Sequence, residues 1–404
     1  MKLLHVLAQL PSRTGSGVYF TNLIKNLRRY DYQQKAVFGT QDDYIWDGLE
    51  REDIYPVEFK TDELSFPIVG MSDIMPYDNT LYSAMTEDMI DRWIEAFKTR
   101  LLDIRRSYKP DIIFTHHLWM LSSLVVDVFA GTKVVGVFHN TELRQARMNP
   151  ELYNRYVNGL ENLDLIFVAS DQQADAIREI YTTIGEDKII SIGGGFDQDI
   201  FYPPGEKQFD QKVRLVYAGK IDPSKGIYEL LDVYRELDLD DITLDIIGMP
   251  DRENKEKLEG YIGNDASVRV YNVKDQVALG EELRQKDIFL MPSFYEGLGL
   301  MAVESLASGL YVIATEIEAL MRLLGEDIRR SGIIEYVPLP RIYDVDKPMR
   351  EDLSKFRRDL RTAMLKQIDK VRDGKTHPID AREGIKKLSW ATLVDNIAEI
   401  IEDL

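Results

Sequence analysis

The stretch DIFLMPSFYEGLGLMAVESLASG, residues 287–309, indicates a strand, a tight glycine turn and a helix in immediate succession. Its apolar start is typical of a buried strand, which places Glu296 at the carboxyl end of that strand. The two glycines that follow allow backbone to approach a ligand closely. We expect the helix to begin near Leu300, with Glu304 about one turn inside it. The candidate ligand-binding residues of this stretch are Glu296, Gly297, Gly299, Leu300, Met301 and Glu304.

The chemistry of this stretch suits a phosphate beside hydroxyl groups. A helix amino terminus offers unpaired N–H groups and the positive end of a dipole to an anion. A carboxylate accepts strong hydrogen bonds from vicinal hydroxyls, so one glutamate suits a sugar and the other a ribose. Two surface glutamates on an ordinary strand, turn and helix are the alternative. The spacing alone is not specific, because Glu50–Glu58 and Glu87–Glu95 share it.

Short β-rich runs alternate with amphipathic stretches along the whole chain, which predicts an α/β fold with parallel sheets. Proline, glycine and polar residues interrupt this alternation once, and the alternation then resumes. We therefore expect two facing, doubly wound Rossmann-like domains that bind ligands between them, at the carboxyl ends of the strands. The predicted parts are a first domain at 1–196, a linker at 197–212, a second domain at 213–385 and a terminal helix at 386–404.

Composition excludes several classes of protein. The 404 residues include no cysteine, so disulfides, thiolate nucleophiles and zinc–cysteine sites are excluded. A net charge of −19 disfavours nucleic acid as a partner. Neither a signal peptide nor a membrane span is evident, so we expect a cytoplasmic protein. Basic helices in the first half could contact an anionic membrane, but solvated charge balance is favoured.

A second stretch, VYAGKIDPSKGIYELL at 216–231, also joins a strand end to a helix through a turn. Two lysines flank this turn, Lys220 and Lys225, next to Gly219 and Gly226. Paired ammonium groups at a strand end suit a diphosphate, whose charge grows when it leaves. Solvated turn lysines without a ligand are the alternative.

Together the two stretches resemble the retaining glycosyltransferases of family 4, which have the GT-B architecture. Glu296 and Glu304 match the Glu-x7-Glu signature of that family, and the glycines and lysines at 219–226 match its Gly-Arg/Lys…Lys-Gly motif. The segment IGGGFDQDIFYPPG resembles the interdomain segment of the family, and LSWATLVDNI resembles its terminal helix. The resemblance covers most of the chain and is most specific at 213–315.

The resemblance implies a role for each matching residue. Lys220 and Lys225 would bind the donor diphosphate, Glu296 the sugar hydroxyls and Glu304 the ribose. Backbone amides around the glycine turn would contact sugar and phosphate. The nucleobase would lie against backbone atoms of Asn272 or Val273.

The first half would supply the acceptor side and some contacts to the donor. Its first strand is followed by Gly15, Ser16 and Gly17, whose backbone N–H groups can approach a phosphate. His139 ends another strand, where the family places a histidine beside the reacting sugar. The remaining acceptor-side candidates are Arg144, His116 and His117, of which one histidine should face the ligand and the other pack inside.

The sequence gives no reason to expect a metal or a cofactor beyond the nucleotide-sugar co-substrate, because no carboxylate-rich ligand pattern lies near these residues. The charged segment 341–376 is interpreted as a solvated helical face. Tyr311 and the following TEIEAL depart from the family pattern, which leaves the donor open.

The predicted reaction is transfer of a sugar from a nucleotide diphosphate sugar to a hydroxyl acceptor with retention of anomeric configuration. The expected donor is a UDP-sugar such as UDP-glucose or UDP-GlcNAc, in glycan, polysaccharide or glycoconjugate synthesis. A catalytically weak homologue that binds sugar or nucleotide as a partner subunit is the main alternative. An inverting enzyme of the same architecture is a lesser alternative. A nicotinamide oxidoreductase is disfavoured because the sequence lacks the Gly-x-Gly-x-x-Gly motif. Acceptor and oligomeric state stay open.

Overall fold

The computed structural model describes residues 1–11, 14–73, 75–205, 212–344, 346–374, 377 and 379–404. Part of the predicted phosphate loop (12–13), part of the predicted linker (206–211) and positions 345, 375 and 376 lie outside the described residues. Contacts divide the chain into two compact units, one formed by Met1–Gly193 with Val394–Leu404 and the other by Gly194–Leu393. No helix in the described ranges is long and apolar enough to cross a membrane.

The first unit is an α/β structure with one large parallel sheet. Its strands are β1 (Lys2–Leu7), β2 (Gln33–Thr40), β3 (Ile54–Glu58), β4 (Val69–Gly70), β5 (Thr80–Leu81), β6 (Ile112–His116), β7 (Lys133–Val137), β8 (Leu165–Val168) and β9 (Ile189–Ser191). Its helices are α1 (Gly15–Leu27), α2 (Glu87–Ser107), α3 (Met120–Val128), α4 (Thr141–Met148), α5 (Pro150–Tyr156) and α6 (Asp171–Ile180). The seven-stranded sheet has the order β3-β2-β1-β6-β7-β8-β9, and β4 pairs only with β5.

Local sequence explains these elements. Strand β6 is buried along its whole length, as expected for a strand covered on both faces by helices. Helix α2 begins after Thr86, whose side chain accepts a hydrogen bond from the N–H of Met89. It buries one apolar face, which includes Trp93, Phe97 and Leu101, in the hydrophobic core of the first unit.

The second unit repeats the plan with six parallel strands. Its strands are β10 (Val213–Ala218), β11 (Ile242–Ile247), β12 (Val268–Tyr271), β13 (Ile288–Met291), β14 (Tyr311–Thr315), β15 (Ile334–Val337), β16 (Ile342–Tyr343) and β17 (Lys347–Pro348). Its helices are α7 (Ile227–Leu237), α8 (Arg252–Ile262), α9 (Gln276–Leu283), α10 (Leu300–Ala307), α11 (Glu318–Ser331), α12 (Leu353–Arg372), α13 (Ile379–Lys386) and the start of α14 (Trp390–Glu402). The main sheet has the order β12-β11-β10-β13-β14-β15, and β16 and β17 form an antiparallel pair.

The predicted α/β class and parallel sheets are confirmed. The interpretation of 341–376 as a solvated helical face is wrong in part. Helix α12 does form there, but it buries Phe356, Leu360, Met364 and Ile368 in the core of the second unit. These residues recur every three or four positions, so the face is an ordinary core face that the many charges around it obscured.

In each main sheet the strand order reverses once, between β1 and β6 in the first unit and between β10 and β13 in the second. At such a switch point the two neighbouring loops leave the carboxyl ends of the strands in opposite directions and open a crevice. The predicted site residues follow these four strands and their neighbours.

Candidate functional site

The switch point of the second unit is formed by two loops that are joined through their backbones. The N–H of Phe294, after β13, donates to the carbonyl of Ser224, after β10, at 2.8 Å. Gly226 has a φ of 65°, and a Cβ there would lie 2.1 Å from the carbonyl oxygen of Pro292. Only glycine fits this contact, which explains the glycine that the sequence places before α7.

Lys225 and Glu296 form an ion pair on these joined loops. The Nζ of Lys225 lies 2.9 Å from Oε1 of Glu296 and donates to the carbonyl of Tyr295 at 3.0 Å. The buried Ser293 hydroxyl donates to the same Oε1 at 2.8 Å. The two charged side chains are 22% and 23% exposed, so both are held in place yet reachable by a ligand. A cation and a carboxylate are thereby presented side by side.

Lys220 is not brought to this pair. Its side chain is 70% exposed and its Nζ lies 3.6 Å from Oδ2 of Asp222. Its carbonyl instead accepts a hydrogen bond from the hydroxyl of the buried Tyr217 at 2.5 Å, beside Gly219 with a φ of 153°. The structure therefore joins one of the two predicted lysines to Glu296.

The glycine turn leads into the amino terminus of α10. Gly299 adopts a φ of 69° and precedes Leu300 and Met301, the first residues of the helix. Among the residues that the structure describes, no side-chain hydrogen bond caps this helix. A Cβ at Gly297 would meet nothing within 4 Å, so there is open space beside the turn. The helix start can therefore accept an anion at its uncapped N–H groups.

Glu304 lies farther along α10 and is buried. Burial is the larger cause that raises the pKa of its carboxyl group, and the neighbouring charge of Asp197 adds to it, giving a pKa of about 8. No hydrogen bond to its carboxyl oxygens occurs in the described part of the chain. The predicted ribose-binding residue is thus a buried acid, mostly neutral at pH 7, whose carboxyl oxygens have no hydrogen-bond partner in the described residues.

The predicted nucleobase residues follow β12 at the same edge of the sheet. Asn272 is exposed and Val273 is half-buried. Because β12 runs parallel to β11 and β10, its carboxyl end lies on the same side as the Lys225–Glu296 pair. Strand β12 is separated from β10 by β11 and forms one edge of the sheet, so both residues lie near that edge.

Next to the switch point of the first unit, the fully buried Glu142 in the first turn of α4 holds the ends of β6 and β7 together. Its Oε1 accepts from the N–H of Leu118, after β6, at 3.2 Å and from the N–H of His139, after β7, at 3.0 Å. Burial alone would raise the pKa of Glu142, but the His117 ring and these surroundings outweigh burial and lower it. Glu142 is therefore an ionised clamp.

His117 extends this clamp to the first strand. Its Nδ1 lies 3.4 Å from Oε2 of Glu142, and its Nε2 lies 3.3 Å from Nε2 of Gln9. The Gln9 side chain also donates to the Ser16 hydroxyl at 2.8 Å. His117 has a φ of 68°, a left-handed conformation that costs about 1 kcal/mol for a residue with a side chain. This buried chain of hydrogen bonds maintains that conformation.

The predicted phosphate residues of the first unit are part of a helix. Gly15, Ser16 and Gly17 form the first turn of α1, and the Thr14 hydroxyl accepts from the N–H of Gly17 at 3.1 Å. Ser16 and Gly17 are buried. The expected open loop is thus a capped helix start, which leaves the N–H groups of Gly15 and Ser16 as those available to an anion.

The remaining acceptor-side candidates differ in position. His116 and His117 are both buried, whereas His139 is partly exposed. His116 Nδ1 lies 2.9 Å from His139 Nε2. The exposed guanidinium of Arg144 pairs with Asp73. The structure therefore brings the histidines together and directs Arg144 elsewhere, toward the segment between β4 and β5.

Sequence reasoning missed Glu142, Gln9 and Ser293. Glu142 carried one local signal, an acidic residue in the first turn of a helix three positions after His139. Gln9 carried none, because it is 108 positions from its partner His117. Among the described residues, no group of three or more His, Asp or Glu side chains is arranged to hold a metal ion.

Family comparison matches two consecutive parts of the chain. Residues 87–200 match the model described as Glycosyltransferase Family 4, and residues 201–338 match the model described as Glycosyl transferases group 1. The second match contains both loops of the second switch point. The first contains Glu142 and the three neighbouring histidines.

Curated relatives are more distant. The chain is 30% identical over 118 residues to an uncharacterized 41.2 kDa protein in the cps region of Klebsiella pneumoniae, covering 29% of this chain and 32% of that protein. It is 23% identical over 288 residues to D-inositol 3-phosphate glycosyltransferase 2 of Catenulispora acidiphila, covering 63% and 66%. The chain thus spans between about a third and two thirds of the length of these curated relatives.

Solved structures share the fold over the full chain. Sucrose-phosphate synthase from Thermosynechococcus elongatus matches with a TM-score of 0.70 at 16% identity, covering 100% of this chain and 99% of that one. Anabaena HepE, in complex with UDP and glucose, matches with a TM-score of 0.63 at 15% identity, covering all of both chains. With this fold and the two consecutive matches, the chain belongs to the GT-B glycosyltransferases of family 4.

Proposed function

We propose that this glycosyltransferase moves a sugar from a UDP-sugar to a hydroxyl acceptor with retention of the anomeric configuration. The observation that carries the proposal is the ion pair of Lys225 and Glu296 on two joined strand ends, next to the uncapped start of α10. The lysine suits the diphosphate and the carboxylate suits the sugar hydroxyls. Glu304 is offered to the ribose and the backbone near Asn272 to the base.

The reaction needs charge stabilisation at the leaving group. As the bond between the anomeric carbon and the diphosphate oxygen breaks, negative charge grows on that oxygen beside Lys225 and the α10 amino terminus. The acceptor oxygen forms a new bond to the anomeric carbon on the same face. Its proton passes to the departing phosphate oxygen, so no nucleophile of the protein is required. Glu296 acts by positioning the sugar.

UDP is the preferred donor nucleotide because HepE, which shares the fold, has been solved with UDP and glucose. We assign the acceptor to the class of saccharide or other glycoconjugate hydroxyls. Hydroxyl groups of lipid-linked sugars and of small molecules react in the same way. The acceptor extracts in the experiment below test them together with saccharides.

The test is nucleotide release from a panel of UDP-, GDP-, ADP- and dTDP-sugars, with and without acceptor extracts. Wild type is compared with Lys225→Ala and Glu296→Ala. The matched control is Lys370→Ala, because Lys370 lies 2.9 Å from Glu335 with side chains 19% and 18% exposed and also donates to a backbone carbonyl. Lys370 lies on helix α12, not on either of the loops that follow β10 and β13 at the switch point.

We expect release from one or two donors by wild type and Lys370→Ala, with a loss of roughly a hundredfold in both site variants. NMR of the product then gives its anomeric configuration, and inversion would contradict the retaining assignment. Donor binding without turnover in every extract would instead favour a partner subunit that binds sugar or nucleotide. Failure to bind any donor would reject the proposed function.

A further inference from the structure

The second unit contains a pocket at the edge of its sheet that lies opposite to the candidate site. The pocket has a volume of about 410 Å³ and is lined by Asp287 and Tyr311, where β13 and β14 begin. The candidate site follows the carboxyl ends of the same parallel strands. A strand of five residues such as β14 spans about 17 Å, so the pocket and the Lys225–Glu296 pair are separate sites.

The walls of this pocket are mostly apolar. Leu306 and Ala307 belong to the last turn of α10, Val371 to α12 and Ile385 to α13. The segment 201–204, which has the sequence FYPP, contributes a further wall. Apolar walls leave the hydroxyl groups of a sugar or the ring nitrogens of a base without hydrogen-bond partners, which is costly. The interior therefore suits a hydrocarbon group.

The wall formed by FYPP is held in place by the protein itself. The guanidinium of Arg284 donates to the carbonyl of Ile200 at 2.7 Å and lies 4.2 Å from the centre of the Tyr202 ring. Gly309 has a φ of 85°, and a Cβ there would lie 3.2 Å from Cβ of Pro203, so glycine permits this close approach. A pocket with fixed walls does not close by collapse, and an apolar group that enters it displaces water from apolar surface.

Two basic side chains of α13 also line the pocket. Arg382 and Lys386 are four positions apart, so they lie on the same face of the helix, and both are exposed. Lys386 pairs with Glu383 at 2.8 Å, but with side chains 72% and 59% exposed this pair is weak in water. Because the chain carries a net charge of −19, an anion depends on local cations such as these.

The acid among the lining residues, Asp287, does not oppose an anion strongly. It is 4% exposed, its Oδ2 accepts from the N–H of Arg214 at 2.8 Å, and the Arg214 guanidinium lies 3.9 Å away. Arg214 therefore compensates the charge of Asp287. Among the described residues that line the pocket, the exposed charged side chains are both positive.

We propose that this pocket binds an anionic amphiphile, with its hydrocarbon chain between α10, α13 and segment 201–204 and its head group beside Arg382 and Lys386. An apolar cavity of about 150 Å³ takes one benzene ring of six carbons, so 410 Å³ takes a chain of roughly ten to sixteen carbons. Free fatty acids, alkyl phosphates and anionic bilayer lipids share this chemistry. The ligand is not the nucleotide sugar, so the proposal goes beyond the proposed function.

The direct test is calorimetry with decyl phosphate below its micellar concentration, in the absence of a nucleotide sugar. We expect one binding site, with affinity that rises roughly threefold to fourfold for each methylene group from octyl to decyl phosphate. Decyltrimethylammonium has the same chain and the opposite charge, and it should bind about tenfold more weakly. Affinity that is independent of chain length, or equal for the two head groups, would overturn the proposal.

Variants locate the bound chain and head group. Ala307→Phe fills the pocket and should reduce decyl phosphate affinity at least about tenfold, with its Tm measured alongside to verify folding. Lys386→Glu changes only an exposed side chain and should weaken binding by about tenfold. Its control is Lys387→Glu, because Lys387 is also exposed but does not line the pocket. Equal affinities in the two lysine variants would contradict the proposed head-group site.

Lys225→Ala separates this pocket from the candidate donor site. It should bind decyl phosphate as wild type does, and a loss of affinity would place the phosphate at the donor site and overturn the proposal. Since no donor is present in these titrations, failure of sugar transfer would leave their result unchanged, and their failure would leave the proposed function standing.

Vesicles of phosphatidylglycerol identify the source of the ligand. Sedimentation of wild type with vesicles, reduced in Ala307→Phe and Lys386→Glu, would indicate a bilayer lipid. Binding of decyl phosphate without sedimentation would indicate a free amphiphile. Failure of wild type to bind decyl phosphate would overturn the proposal whatever the vesicles show.

Discussion

Glu142, beside the switch point of the first unit, and Glu304, at that of the second, are buried carboxyl groups whose surroundings shift their pKa values in opposite directions. Glu142 accepts hydrogen bonds from two backbone N–H groups. Burial alone would raise its pKa, but the hydrogen bond and proximity of His117 outweigh burial and lower it. Burial, and to a lesser extent the neighbouring charge of Asp197, raises the pKa of Glu304 to about 8. A buried carboxylate whose donors belong to the fold supports structure, whereas one that lacks them is available to a ligand.

The largest expected effect is loss of stability in Glu142→Ala. Removal leaves the N–H groups of Leu118 and His139 buried without an acceptor, which should lower the free energy of unfolding by about 3 kcal/mol. Urea denaturation of wild type and variant measures this difference in the free energy of unfolding. Glu151→Ala is the control, because Glu151 is an exposed acid in the first turn of α5 and its loss should change stability by less than about 0.5 kcal/mol. Equal effects in the two variants would contradict the role of Glu142 as a clamp.

Glu304→Gln should behave in the opposite way and stabilise the protein at high pH. The pKa of Glu304 is about 8 in the folded protein and has the ordinary value of 4.5 in the unfolded chain. Wild type therefore loses stability as the pH rises from about 4.5 to about 8. Between pH 6 and pH 9 the advantage of Glu304→Gln should grow by about 2.7 kcal/mol, since this range spans about two units of protonation linkage and each unit is worth about 1.4 kcal/mol. Denaturation at both pH values tests this. An advantage that is independent of pH would show that Glu304 is ionised in the fold.

A smaller effect is expected on donor binding. Ribose hydroxyls that donate to Glu304 favour its ionised form, so binding of UDP-glucose should release a proton and strengthen by up to about tenfold per pH unit below pH 8. Calorimetry in two buffers of different ionisation enthalpy measures the number of protons that are released on binding. Glu304→Gln should bind without this pH dependence. Proton uptake by wild type would mean that the neutral acid is the form that binds.

The sequence predicted the features that depend on local pattern. The alternation of strands and helices, the strand ends and the residues of the Lys225–Glu296 pair could all be located from neighbouring residues. Contacts between distant positions could not, as Gln9 and His117 illustrate. Lys220 looked equivalent to Lys225, but the Tyr217 hydroxyl and Asp222 hold it apart from Glu296. The edge strand β9, which has three residues, also carried too few residues to form a pattern.

The most direct measurement is the affinity of UDP-glucose for wild type, Lys225→Ala and Lys370→Ala, measured side by side by calorimetry. The two lysines share ion-pair distance, exposure and a backbone carbonyl partner, and differ in whether they lie at a switch point. We predict that Lys225→Ala weakens binding by roughly tenfold to a hundredfold and that Lys370→Ala changes it by less than about twofold. Equal affinities in the two variants, or no binding by wild type, would contradict the assignment of the Lys225–Glu296 pair to the donor diphosphate and sugar.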